Sequence, residues 1–412
     1  MASLEVTELV QRADALLEAS PGLVLRRWRA HRRALRFEVE LPEGLEAPLR
    51  PLFLSRAWAD AIVAACAPGQ RLPDVAMPSA VGVPGDFVLT EPPHGREWLL
   101  YAAYVDAMRA PWLDLLGLRA PKGAVEEVVA FVAAKKRAGP LAVVLSEADA
   151  HAVRTSHARV LQSLWRLEAR LASRSLAPRV VQASELRRDE RGAVRFASDG
   201  EAAGAVAWWS TPSLDFGDLR APVWPAPFSS MLARRALPAL AEVQTPSARG
   251  RAAPGGGKSR AGSVGRKGSR EAPTHLGERG GERLSRSSTR RGSRARVGHA
   301  ARYVATWLPS ESPPVSAGGA GGGEMVFKPF DDAYAERDSA EAEEGAGVLQ
   351  ARVELPRTRL PFEVEGRVTW RGCGVEVGVL ALGGRAVTAF ARCVVEDPAG
   401  EFDVICPAVL VP

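Results

Sequence analysis

Lys328, in Glu324-Met325-Val326-Phe327-Lys328-Pro329, has the residue type and setting of a phosphate-reading group. Lysine is scarce in this chain: Lys122, Lys135, Lys136, Lys258, Lys267 and Lys328 are the whole set, against a large excess of arginine. A compact ammonium on a flexible stem acts toward phosphate as a point charge, where arginine offers a planar fork. Lys328 closes a short apolar run and precedes a proline, so it falls where a strand ends. A strand-end lysine in water has the same local sequence, and residue type alone leaves both roles open.

Other chemistries find no matching pattern. His31, His94, His151, His157, His275 and His299 form no H-E-x-x-H set, and Cys66, Cys373, Cys393 and Cys406 form no C-x-x-C pair. His151 and His157 fall on one predicted helix but six residues apart, off a common face. No G-x-S-x-G is present, and no G-x-G-x-x-G between a strand and a helix. Gly255-Gly256-Gly257-Lys258-Ser259 superficially resembles a phosphate loop, but its first glycine position is Ala252 and no strand precedes it. Ser146, Glu147 and Asp149 follow an apolar run and suit either ligand contact or helix capping.

The elements that must position these residues follow from hydrophobic periodicity. Residues 4–18 repeat at helical spacing. The basic stretch Arg26-Arg27-Trp28-Arg29-Ala30-His31-Arg32-Arg33 suits phosphate or anionic lipid but reads first as a solvated flank leading into an alternating strand, Leu35–Leu41. Residues 53–66, 96–118 and Gly123–Arg137 read as helices. Pro140–Leu145 is a short continuous apolar run, as in a buried parallel strand. A helix from about Asp149 to Ser173, a strand at Arg179–Ala183 and a third at Ala203–Trp209 complete a strand–helix–strand alternation, hence an α/β unit with a parallel sheet. Trp208, Trp209 and Trp224 read as core or interface. After Ala301–Pro309 and the Gly-rich Gly318–Gly323, short runs follow at Met325–Phe327, Val348–Leu355, Phe362–Trp370, Gly374–Leu382, Ala386–Val395 and Phe402–Val411. These predict a mostly antiparallel sheet, with Leu382-Gly383-Gly384-Arg385 as a hairpin.

Charge separates one segment from the rest. Between Thr245 and Ala300 there are 14 Arg and Lys against three Asp and Glu, a net +11, while the whole chain of 412 residues is only +6. The remainder is therefore mildly acidic. Thr245–His299 has almost no large apolar residues, cannot offset its ordering entropy and reads as a disordered insertion. Such a segment attracts nucleic acid or an acidic partner nonspecifically, and no aromatic within it adds stacking. A hydrophobic content of 46% supports a real core in the rest. No apolar stretch of membrane-spanning length and no secretory leader is visible, and a cytoplasmic setting with reduced thiols is expected.

The succession of parts resembles the ATP-grasp superfamily, in its circularly permuted, glutathionylspermidine-synthase-like branch. Pro140–Leu145 with its helix looks like the parallel α/β domain preceding the grasp. Val326-Phe327-Lys328-Pro329 is similar to the family's apolar strand ending in Lys-Pro, and Val348–Val353 to its hinge strand. Val375–Val379, Gly383–Val387 and Ala389-Phe390-Ala391-Arg392 look like the later strands. The likeness spans roughly 140–245 weakly and 301–411 better.

It implies four regions: 1–138, mixed and helical; 139–244, parallel α/β; 245–300, the disordered insertion; and 301–412, the ATP-grasp-like sheet. It also implies ATP and magnesium as cofactors and a small-molecule or peptide carboxylate as substrate. The activity would be carboxylate–amine or carboxylate–thiol ligation through an acylphosphate. Lys328, Gln350, Arg234 and Arg235 would contact nucleotide, Arg392 would steady phosphate or acylphosphate, and Glu401 and Asp403 are the magnesium candidates by hard-oxygen chemistry.

The chain departs from the family pattern in three places. Asp331–Asp338 is acidic where a glycine-rich flap is expected, Ala351 stands where the hinge carboxylate belongs, and the sequence has no asparagine for the magnesium pair. The second reading is a non-catalytic scaffold of this fold, whose basic segment recruits nucleic acid or an acidic partner.

Overall fold

The computed structural model describes residues 6–35, 48–66, 72–94, 97–118, 122–154, 158–209, 220–225, 306–307, 325–329, 337–338, 347–397 and 400–411. The insertion at 245–300 and Arg234 and Arg235 lie outside them.

Three sheets matter for function. The largest has seven strands among the described residues: β1 (Leu52–Ser55), β2 (Val75–Val83), β3 (Asp86–His94), β14 (Arg357–Val364), β15 (Arg367–Leu382), β16 (Arg385–Asp397) and β17 (Gly400–Val411). Its order is β1-β17-β16-β15-β2-β3, with β14 also pairing β15. All pairs are antiparallel except β1 with β17. The second sheet is fully parallel: β4 (Leu141–Leu145) lies between β5 (Pro178–Gln182) and β8 (Ala205–Trp208), and β9 (Val223–Trp224) flanks β8. The third is antiparallel, in the order β10 (Thr306–Trp307), β13 (Gly347–Ala351), β11 (Met325–Pro329), β12 (Arg337–Asp338). A small hairpin pairs β6 (Leu186–Arg188) with β7 (Val194–Phe196). The expected α/β plus α+β class is therefore what the chain forms.

The helices are α1 (Val6–Ala19), α2 (Pro21–Leu35), α3 (Arg56–Ala65), α4 (Trp98–Leu115), α5 (Ala124–Lys135), α6 (Glu147–Arg154) and α7 (Ala158–Ser173). One face of the large sheet packs Val377, Val379 and Ala381 against Trp58, Ala59 and Ile62 of α3. The other face places Leu380, Leu382 and Phe390 in the main core with Trp98, Val105 and Trp112 of α4, Val128 of α5 and Leu167 of α7. Trp208, Trp209 and Trp224 are buried, as expected. Among the described residues no helix is long and apolar enough to cross a membrane.

Several expected boundaries move. The segment expected as one strand across Phe362–Trp370 turns back on itself at Glu365-Gly366, where both residues have positive φ (48° and 80°). A two-residue turn with two left-handed residues matches the twist of the strands it joins, and glycine tolerates the second position without strain. Gly383 and Gly384 (φ 59° and 79°) make the expected hairpin between β15 and β16 in the same way. The helix expected over 149–173 is helical at α6 and α7, and residues 155–157 between them lie outside the described residues. The helix expected over 53–66 begins as strand β1, and Ser55 then caps α3 by accepting from the Trp58 amide at 3.2 Å. The strand expected at Leu35–Leu41 starts at the last residue of α2, and its remainder lies outside the described residues. The β2–β3 hairpin has no counterpart in the sequence reading. Through β1, β2 and β3, the large sheet includes strands from the region read as a separate N-terminal part.

Candidate functional site

β15 and β16 run antiparallel over most of their length, and the site lies on the face that α4 packs against. Gly378 sits directly opposite Phe390. The Phe390 ring stacks on Tyr101 of α4, with centroids 4.2 Å apart and planes at 10°. Tyr104, one turn along, donates its hydroxyl to the Ile405 carbonyl at 2.7 Å. Two residues beyond Phe390 on the same face is Arg392, opposite Glu376 on β15 and Ile405 on β17. The sheet face thus sets a charged pair between apolar Phe390 and Ile405.

Arg392 donates from Nε (3.0 Å) and Nη2 (2.7 Å) to one oxygen, Oδ2 of Asp403. Its Nη1 lies 3.8 Å from Glu376 Oε2. The other Glu376 oxygen accepts the Thr90 hydroxyl hydrogen from β3. Gln350, on β13 of the small sheet, donates its side-chain amide to the Thr90 carbonyl at 2.8 Å. One chain of contacts therefore runs Gln350–Thr90–Glu376–Arg392–Asp403 across two sheets. Burial grades along it: Gln350 and Thr90 are buried, the Glu376 side chain is 15% exposed, and Arg392 and Asp403 are 46% and 51% exposed.

Three of the residues singled out from sequence, Gln350, Arg392 and Asp403, are brought together here. Arg392 forms cross-strand ion pairs with Asp403 and Glu376. Lys328 lies on β11, where its Cα is paired with Val348 while Val326 is paired with Gln350. Opposed residues of an antiparallel pair share a face, so positions 328 and 350 lie on the same side of the small sheet. Glu401 is placed on β17 opposite Glu396 by backbone register, and the side chains of Lys328 and Glu401 lie outside the described residues.

Asp403 Oδ2 takes two N–H groups of the Arg392 guanidinium, so that oxygen faces positive charge in this arrangement. Among the described residues no group of three His, Cys, Asp or Glu could hold a metal ion.

Sequence reasoning missed Thr90 and Glu376. Thr90 carried no signal. Glu376 did, as the lone charge in Val375-Glu376-Val377-Gly378-Val379. At the other candidate position, Ser146 and Asp149 cap α6 reciprocally. The Ser146 hydroxyl donates to Asp149 Oδ2 at 2.6 Å, and the Asp149 amide donates to Ser146 Oγ at 3.1 Å. Of the capping and ligand-binding alternatives, capping is the one these contacts make.

No family model matches the chain, and no curated protein does. The solved structures similar to it include a glutathione synthetase-like effector from Globodera pallida in apo form, at 12% identity over 95% of this chain and 98% of that one, with a TM-score of 0.48. They also include a candidate gamma-glutamylcysteine synthetase from Methylobacillus flagellatus, at 8% identity over 98% of this chain and 88% of that one, with a TM-score of 0.36.

Proposed function

We propose that the chain is a divergent ATP-dependent ligase that joins a carboxylate to an amine or thiol through an acylphosphate. The observation that carries this is the meeting of two antiparallel sheets at one polar cluster. The small sheet carries positions 328 and 350 on one face, and Gln350 reaches the large sheet beside Glu376 and Arg392. In this chemistry a substrate carboxylate oxygen attacks the γ-phosphorus of ATP and ADP departs. The amine or thiol then attacks the acyl carbon and phosphate departs. Phosphoryl transfer needs charged groups that hold phosphate in place more than it needs covalent help. Lys328 neutralises nucleotide phosphate, Arg392 steadies the transferred phosphate, and Gln350 ties the nucleotide-facing sheet to the large one. Arg234 and Arg235 remain candidates for a second phosphate contact. No step is assigned to magnesium at Asp403.

Thermal denaturation with and without ATP and magnesium, on wild type and Lys328→Ala, tests the reading. A ligand that binds only the native state stabilises it by about 2.7 kcal/mol at a hundredfold excess over Kd. A rise in Tm that disappears in Lys328→Ala is expected. A cooperative transition unmoved by millimolar nucleotide in wild type would overturn the ligase.

One observation favours the second reading, a non-catalytic scaffold: Arg392 is already engaged by two carboxylates of its own chain. On that reading the basic 245–300 segment recruits nucleic acid or an acidic partner. Salt-sensitive nucleic-acid binding that is lost on deleting 246–299, with no response to nucleotide, is the result that selects it.

A further inference from the structure

We propose that Asp403 is an internal competitor for the anion site of Arg392: its carboxylate occupies the guanidinium in place of an external oxyanion such as a phosphate. The proposal deepens the ligase reading in one respect, since it rests on Arg392 being an anion contact.

The geometry of the pair supports exchange. Both Arg392 donors converge on a single oxygen, Oδ2. A phosphate presents separate oxygens and allows the stronger two-oxygen, two-donor arrangement. Both partners are about half exposed, so the existing pair is weakly held and Asp403 returns to water on release. Arg392 is not set loose when that happens. Glu376 stays beside Nη1, and Glu376 is itself held by the Thr90 hydroxyl, whose backbone carbonyl is held by Gln350. The competitor lies on the exposed side of the arginine and the support on the buried side.

Asp403 must leave the guanidinium before an oxyanion can take its place. Oxyanion affinity is therefore held below what Arg392 could provide. Removing the competitor should raise it, and only while Arg392 is present.

The experiment is calorimetric titration of inorganic tripolyphosphate, with chelator and no divalent metal, into wild type, Asp403→Asn, Arg392→Gln, the double variant and Glu190→Gln. The last removes one exposed carboxylate from the β6–β7 turn and controls for net charge. Asp403→Asn is expected to bind about two- to fivefold more tightly than wild type or Glu190→Gln, from the usual strength of an exposed pair. The gain should vanish in the double variant. Affinity equal to that of Glu190→Gln, weaker binding, a gain that survives loss of Arg392, or no binding by any variant would each overturn the proposal. Thermal melting of each variant confirms that it is folded. A parallel titration of wild type with ATP and magnesium reports on the ligase reading alone, so either idea can fail without the other.

Discussion

Gly378→Ala tests how the large sheet and α4 are fitted together at the edge of the site. A Cβ at position 378 would lie 2.6 Å from Cε2 and 2.9 Å from Cε1 of Phe390, and closer still to Cζ. Carbon atoms in ordinary contact sit at about 3.5–4.0 Å, so the ring must retreat by roughly 1 Å. It has nowhere to go, because Phe390 is 7% exposed and Tyr101 is stacked behind it. Overpacking of this kind costs about 1–3 kcal/mol. Displacing the stacked pair adds about 0.5–1.5 kcal/mol. Strand propensity alone predicts the opposite sign, since glycine weakens a strand interior. The expected loss is therefore about 2–4 kcal/mol in urea unfolding, read from the midpoint with an unchanged m value. Phe390→Leu removes the obstructing ring at its own cost. The double variant should then be less destabilised than the two singles together, with a coupling of about 1–3 kcal/mol. Additivity within about 0.5 kcal/mol would refute the reasoning, because it would mean that the ring and the new methyl never meet.

Three other perturbations follow from contacts elsewhere. Asp106 accepts the amides of Ala124 and Val125 at 2.8 Å each and so caps α5 from a neighbouring helix, while also pairing with the buried Arg109; Asp106→Ala should cost about 1–3 kcal/mol in urea unfolding, and Asp106→Asn clearly less. The Glu363 carboxylate is 3% exposed and receives Arg29, itself 45% exposed; Arg29→Ala should cost about 2–3 kcal/mol because it leaves a buried charge behind, whereas Glu363→Gln should cost under about 1 kcal/mol, and the reverse order would refute this account. All four cysteines are free and buried, the Cys66 thiol is pushed up to about 12 by burial, and the Cys393 thiol is raised by its hydrogen bond with Cys406 and by burial. Native protein should therefore react slowly with an aromatic disulfide reagent, denatured protein should release four equivalents, and moving from pH 7 to 9 should give little of the acceleration a free thiol shows, since Cys66 remains protonated throughout.

The parts of the fold legible in the sequence are those where one residue type decides the outcome locally. Pro140–Leu145 reads as a buried parallel strand because it is apolar throughout, and β4 is indeed flanked on both sides. Gly383-Gly384 fixes its hairpin through two left-handed residues. The β2–β3 hairpin escaped because Pro78, Pro92 and Pro93 argue against strands, and its turn signal, Pro84-Gly85, stands between segments without clear alternation. What holds that hairpin is pairing with β15, some three hundred residues away, and no local pattern records it. The same long-range pairing draws β1 into parallel register with β17.

The site divides along the same line. Arg392, Asp403 and Gln350 could be nominated from sequence because their residue types suit phosphate, cation and amide chemistry. Their partners could not be: a strand sequence states which face a residue occupies, not which strand lies beside it. Asp403 shows the consequence. As a hard carboxylate near a chain of strands it is as good a metal candidate as Glu401. Register alone puts Val394 opposite Asp403, so Arg392 lies diagonally across on the same face, within reach of a long side chain. That diagonal pairs Asp403 with a cation of its own chain. Glu376 gains its role in the same way, since only the β15–β16 register sets it against Arg392 and only the sheet's order brings Thr90 within reach. The chemistry of such a cluster depends on pairing between distant strands, so a substitution that shifted the register between β15 and β16 by one residue would place Arg392 on the α3 face and abolish the cluster while leaving every one of its residues unchanged.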